Sequence, residues 1–124
     1  MGGILVVDDD PANRRLIQMA LELEGYAVTT AATGHEALAQ AAVQQPVAIL
    51  LDVELPDLDG WEVLDTLGAL GTVAAVPSVL LLSASDGARI RRAAQQHGAA
   101  VLTKPFDLDV LLEKVERLAT PSSA

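Results

Sequence analysis

The stretch Ile4-Leu5-Val6-Val7-Asp8-Asp9-Asp10-Pro11 decides the fold class. Four apolar residues, three of them β-branched, break off abruptly at three aspartates. An unbroken apolar run is the pattern of a strand covered on both faces, as strands of a parallel sheet are. Pro11 then suits the first turn of a helix, and Gly25 suits the position just past its end. A helix over 11–24 follows, with Leu16, Ile17, Ala20 and Leu21 sharing one face. The unit is a buried strand, an acidic loop and an amphipathic helix.

Working outward, the alternation continues to the end of the chain. Tyr26–Thr30 reads as a short strand. Thr33-Gly34-His35-Glu36 has capping-box spacing, in which the hydroxyl and the carboxylate satisfy orphan amides, and its helix runs to about Gln45 before Pro46. Val47–Leu51 is another buried strand, again ending at an acid, Asp52. A loop over Val53–Asp59 leads to a helix over about 60–70, with Trp61 packing near its start. Ser78–Leu82 is the fourth strand and ends at Ser83. Asp86 can cap a helix reaching His97. Ala100–Thr103 is the fifth strand and ends at Lys104-Pro105. Asp107 can cap a last helix whose Leu108, Leu111, Leu112, Val115 and Leu118 form one stripe. The expected architecture is α/β, a flavodoxin-like doubly wound (βα)5 fold with a five-stranded parallel sheet in the order 2-1-3-4-5. One domain over residues 1–119 is expected, with residues 120–124 as a tail or linker stub.

Composition agrees and excludes several classes. The chain has 124 residues, 51% of them hydrophobic, which rules out disorder. It contains no cysteine, so a disulfide scaffold, a thiolate zinc site and a cysteine nucleophile are excluded. No basic leader precedes an apolar segment at the N-terminus, and no apolar run approaches the roughly 18 residues of a membrane span. Seventeen acids against eight bases give a formal charge of −9, which disfavours direct contact with nucleic acid or an anionic membrane. The surplus is local. Residues 1–85 carry 12 acids and two arginines, whereas residues 86–124 carry 5 acids and 6 bases. Asp8, Asp9, Asp10, Asp52, Glu54, Asp57 and Asp59 account for most of the excess.

In this strand order, strands 1 and 3 are neighbours roughly 4.8 Å apart. Asp8 and Asp9 end the first and Asp52 ends the third, so three carboxylates converge on one rim. A divalent cation removes their repulsion, and a small all-oxygen set that leaves room for water suits Mg2+ better than Ca2+. Strand 4 contributes the hydroxyl of Ser83 and strand 5 the ammonium of Lys104. A lysine near acids can be a plain salt bridge. Beside a metal and a hydroxyl it also makes a cradle for phosphoryl oxygens, with Asp52 as the nucleophile. Asp10, Asp57 and Asp59 read as turn and cap residues, His35 and His97 as surface or helix-end residues. Arg89, Arg91 and Arg92 read as a solvated face, or alternatively as a docking patch for an acidic partner.

At these residues the sequence resembles the response-regulator receiver domains of two-component signalling. The resemblance rests on Ile4–Pro11, on Leu51-Asp52-Val53-Glu54-Leu55-Pro56-Asp57-Leu58-Asp59-Gly60, on Ser83-Ala84 and on Lys104-Pro105-Phe106, and covers about residues 3–119. It implies that Asp52 accepts a phosphoryl group from a histidine kinase or a histidine phosphotransfer protein. It implies that Asp9, Asp52 and the backbone carbonyl of Glu54 bind Mg2+ directly, with Asp8 acting through water. It implies that Ser83 and Lys104 bind phosphoryl oxygens and that Lys104-Pro105 is cis. A cytoplasmic switch with an unnamed downstream protein target follows, with no output domain in this sequence and no enzymatic turnover beyond its own phosphorylation and dephosphorylation. Ser83 stands where Thr is commoner, Leu55 where Met is usual, and Val101 where the family usually has Tyr or Phe. The chemistry is expected to survive these changes, with the conformational readout weaker or differently routed.

Three other readings compete. A haloacid-dehalogenase-like phosphatase also uses a post-strand aspartate and a lysine, but needs a second aspartate where this chain has Glu54. A flavin-binding module is disfavoured by an acidic first loop, which repels a phosphate. A degenerate receiver acting only as an interaction module is disfavoured by the full set Asp8, Asp9, Asp52, Ser83 and Lys104.

Overall fold

The computed structural model describes residues 3–44, 46–53, 55, 57, 62–63, 66, 78–83, 88–97 and 99–119. The apolar run that opens the chain forms β1 (Ile4–Val7), and all four of its residues are buried. Then come α1 (Pro11–Leu23), β2 (Val28–Ala31), α2 (Gly34–Gln44), β3 (Ala48–Asp52), β4 (Ser78–Ser83), α3 (Ala88–His97), β5 (Ala100–Thr103) and α4 (Leu108–Ala119). The five strands are parallel and ordered β2-β1-β3-β4-β5, the order expected of the doubly wound fold. The helix expected over 60–70 lies largely outside the described residues, as do Trp61 and the stub at 120–124. Glu62, Val63 and Thr66 are helical, and the Thr66 hydroxyl donates to the Glu62 carbonyl at 2.8 Å.

Period-two alternation sorts the strand side chains into two cores. Leu5, Val7, Ile49, Leu51, Val79 and Leu81 face α2 and α3, where Ala37, Ala41 and Ala94 are buried against them. Ile4, Val6, Leu50, Leu80, Leu82 and Leu102 face Ile17 and Leu21 of α1 and Leu111 and Val115 of α4. The stripe read on the last helix is therefore correct in its buried members. On α1 the expected face is narrower: Leu16 is half exposed, because Ile17 and Leu21 alone point squarely at the sheet. Among the described residues, no helix is long and apolar enough to cross a membrane.

Local signals set the element ends. The Asp10 carboxylate accepts from the Ala12 amide at 3.0 Å and caps α1. Gly25 closes that helix at φ 97°, a conformation L side chains rarely adopt. Two strand starts differ from expectation by one or two residues. The Tyr26 amide is taken by the Leu21 carbonyl at 3.2 Å, so that residue finishes the helix turn and β2 begins at Val28. Val47 donates to the Gly3 carbonyl at 2.9 Å ahead of β3 and remains exposed. Gly3 lies so close to the Ala27 carbonyl that a side chain there would collide with it.

Candidate functional site

The register that buries the apolar strands also decides which polar residues meet. Val7 is paired with Leu51 and Asp52 with Leu82, so Asp8, Asp52 and Ser83 emerge at one end of the sheet. All three are buried. Asp8 is held from three directions. Its Oδ1 accepts from the Asp10 amide at 2.9 Å, its Oδ2 from the Asn13 side-chain amide at 2.7 Å, and its carbonyl from Arg14 Nη1 at 2.7 Å. Asp9 is exposed beside it. Carboxylate oxygens of Asp8, Asp9 and Asp52 all lie within 4.8 Å of one another.

Lys104 enters from the neighbouring strand. Ser83 is paired with Thr103, and the Lys104 amide donates to the Ser83 carbonyl at 2.7 Å, which seats the lysine over the rim. The Lys104-Pro105 bond is cis. The ammonium donates to Asp52 Oδ2 at 3.0 Å and stands 3.7 Å from Asp8 Oδ2. Burial alone pulls the Lys104 pKa down. The hydrogen bond and charge of Asp52, with the charges of Asp8 and Asp9, outweigh that and leave it above the ordinary lysine value. Beside the ammonium opens a mostly apolar cleft of about 450 Å³, lined by Asn13, Leu16, Lys104, Pro105, Phe106 and Leu108.

The structure thus brings Asp8, Asp9, Asp52 and Lys104 together and sets Ser83 on the adjacent strand end, as the sequence led us to expect. Glu54, whose backbone carbonyl is the remaining expected ligand, lies outside the described residues. The donor set is chemically apt for Mg2+: hard carboxylate oxygens, few in number, one of them open to water. An ammonium placed against two of the three carboxylates shows that the pocket favours positive charge.

Two partnerships go beyond what the sequence specifies. Asn13 and Arg14 hold Asp8; the only hint was their place in the first turn after the acidic loop. Asp57, expected to be a turn or cap residue, does cap a helix, but the helix is α2, more than twenty residues away in sequence. Its Oδ1 accepts from the Gly34 amide at 2.7 Å and its Oδ2 from the His35 amide at 3.0 Å, with the His35 ring nitrogen 2.5 Å away. Half of the expected capping box is present, with Thr33 Oγ1 accepting from the Glu36 amide at 3.1 Å. The Glu36 carboxylate accepts from Ala32 rather than Thr33, so the helix start is shared between two caps.

Comparison with known proteins agrees with the fold. Residues 4–116 match the response regulator receiver domain family. The chain is 39% identical over 116 residues to a probable transcriptional regulatory protein, TcrX, of Mycobacterium tuberculosis, covering 93% of this chain and 48% of that protein. It is 44% identical over 116 residues to the response regulator PleD of Caulobacter vibrioides, covering 93% of this chain and 25% of that one. It therefore spans from a quarter to a half of the length of these relatives. Among solved structures, the chemotaxis response regulator CheY4 of Vibrio cholerae superposes with a TM-score of 0.86 at 30% identity, over 95% of this chain and 98% of that one. A CheY-like receiver domain protein from Methanospirillum hungatei gives 0.84 at 32% identity, over 95% and 94%.

Proposed function

This chain belongs to the response regulator receiver domain family, and on that premise we propose that it is a phosphorylatable switch whose acceptor is Asp52. The observation that carries the reading is the Lys104 ammonium 3.0 Å from a buried Asp52 carboxylate that shares its pocket with Asp8 and Asp9. In the reaction, an Asp52 carboxylate oxygen forms a bond to phosphorus as the phosphorus–nitrogen bond of a phosphohistidine donor breaks. The imidazole leaves with the bonding electron pair and takes up a proton, and Asp52 carries an acyl phosphate. Asp8, Asp9, Asp52 and the Glu54 carbonyl would hold Mg2+, which supplies charge neutralisation for the transferring phosphoryl oxygens. Lys104 exchanges its bond to Asp52 Oδ2 for a phosphoryl oxygen, and Ser83 donates its hydroxyl to another. That exchange withdraws the lysine from the carboxylate it holds in the resting state and biases the domain between two conformations.

The partners in this reading are a histidine kinase or histidine phosphotransfer protein and a downstream protein target, met in the cytoplasm. Residues 1–119 form the receiver, with 120–124 as a tail or linker, and the chain performs no turnover beyond its own phosphorylation and dephosphorylation. Incubation with Mg2+ and acetyl phosphate, followed by intact mass measurement, tests it. One labile phosphoryl adduct is expected, absent without Mg2+ and absent in Asp52→Asn. Steady hydrolysis of a phosphoester would instead favour the phosphatase reading, and no adduct at all would favour a degenerate interaction module.

A further inference from the structure

The proposed phosphotransfer makes no use of Asn13, yet this side chain makes the shortest contact to the fully buried Asp8 carboxylate, 2.7 Å to Oδ2. Lys104 lies 3.7 Å from that same oxygen while closing to 3.0 Å on Asp52. The neutral amide thus holds the same Asp8 oxygen that faces the ammonium. With Oδ1 fixed by the Asp10 amide at 2.9 Å, both oxygens are held, and Asp8 stays turned toward Asp9 and Asp52.

Charge makes the choice of an amide matter. Three carboxylates outnumber the two cations, Lys104 and the Arg14 guanidinium on the Asp8 carbonyl, so the described pocket keeps a net negative charge that attracts a dication. A carboxylate at position 13 would add a fourth acid, could not donate to Asp8, and would enlarge the oxygen set toward the six to eight ligands Ca2+ prefers. We propose that Asn13 is a positioning residue for the divalent cation: it holds Asp8 off Lys104 and, by being neutral, keeps the site selective for Mg2+ over Ca2+. This rests on the reading of the pocket as a Mg2+ site.

The groups around the metal are typically worth 10- to 100-fold in affinity when removed. Asn13→Ala should therefore weaken Mg2+ binding by that factor, because the freed Asp8 closes on Lys104. Asn13→Asp should shift the ratio of Ca2+ to Mg2+ affinity at least tenfold toward Ca2+. Asn13→Gln, which keeps an amide donor, should retain most of the wild-type preference. Thermal unfolding in EDTA, and in graded MgCl2 or CaCl2, reads this through the metal-induced rise in Tm, which follows affinity. A merely structural Asn13 would lower the Tm in EDTA and leave the metal-induced rise unchanged in all three variants, which would overturn the proposal. Wild-type protein that gains nothing from either ion would overturn the Mg2+ reading itself, separately from the role of Asn13.

Discussion

Replacing Asp57 by alanine should unfasten the start of α2 without touching either core. The carboxylate satisfies two orphan amides, Gly34 at 2.7 Å and His35 at 3.0 Å, from a side chain 25% exposed to solvent. Losing a helix N-cap costs about 0.5–2 kcal/mol, and losing a negative charge at a helix N-terminus a further ~0.3–1 kcal/mol. The His35 ring, 74% exposed, adds within about 0.5 kcal/mol, as exposed ion pairs do. Thr33 still holds the Glu36 amide, so the helix is not left wholly uncapped. The expected loss is about 1–2 kcal/mol, or roughly 4–10 °C in Tm for a domain of this size. Urea and thermal unfolding of Asp57→Ala, Asp57→Asn and His35→Ala measure it. The order of loss should be Ala greater than Asn at position 57, with His35→Ala nearly neutral. If Asp57→Ala matches wild type within about 0.3 kcal/mol, or if His35→Ala costs as much, the capping argument is wrong.

Other consequences follow from the same geometry. Lys104→Met leaves the buried carboxylates of Asp52 and Asp8 without their cation; discounted for the part-exposed lysine, it should cost about 1–3 kcal/mol in EDTA, and added Mg2+ should restore more stability to it than to wild type. Leu81→Ala, at a fully buried position in β4, should cost about 2–5 kcal/mol in urea unfolding with the usual cavity penalty. The Tyr26 hydroxyl, raised by burial and by Glu116 and Glu24, should ionise above pH 10 in the folded protein, read at the phenolate absorbance of this sole tyrosine. Because Tyr26 and Lys104 both hold their protons more tightly when folded, their stabilisation is complete below their ordinary values near 10 and 10.5 and is lost as pH climbs through the raised ones. Val101 helps line a cleft of about 350 Å³ with Arg91, Ala94, Gln95, Ala99, Thr103 and Lys114; Val101→Tyr should be tolerated within ~1.5 kcal/mol, since the ring has space to enter.

Much of this molecule was legible because strand and site obey one rule. Apolar runs that stop at Asp8, Asp52, Ser83 and Lys104 mark both the ends of buried strands and the rim where polar groups gather, so the fold and the pocket were read from the same residues. The exact starts of β2 and β3 were not legible, since Tyr26 and Val47 are as β-prone as their neighbours and only the pairing register with β1 excludes them. Leu16 shares the apolar face yet is half exposed, because helical periodicity alone does not say which edge of that face the sheet covers. The cap from Asp57 and the grip of Asn13 on Asp8 are tertiary or loop-to-helix contacts, with no signature beyond a polar residue in a loop or a first turn.

The proposed switch turns on Asp52, among the pocket's three carboxylates, taking the phosphoryl group. Borohydride reduces an aspartyl phosphate to homoserine, which marks the acceptor permanently for peptide mass mapping. After incubation with Mg2+ and acetyl phosphate, homoserine is expected at position 52 alone; homoserine at position 8 or 9, or an adduct undiminished in Asp52→Asn, would place the phosphoryl group elsewhere.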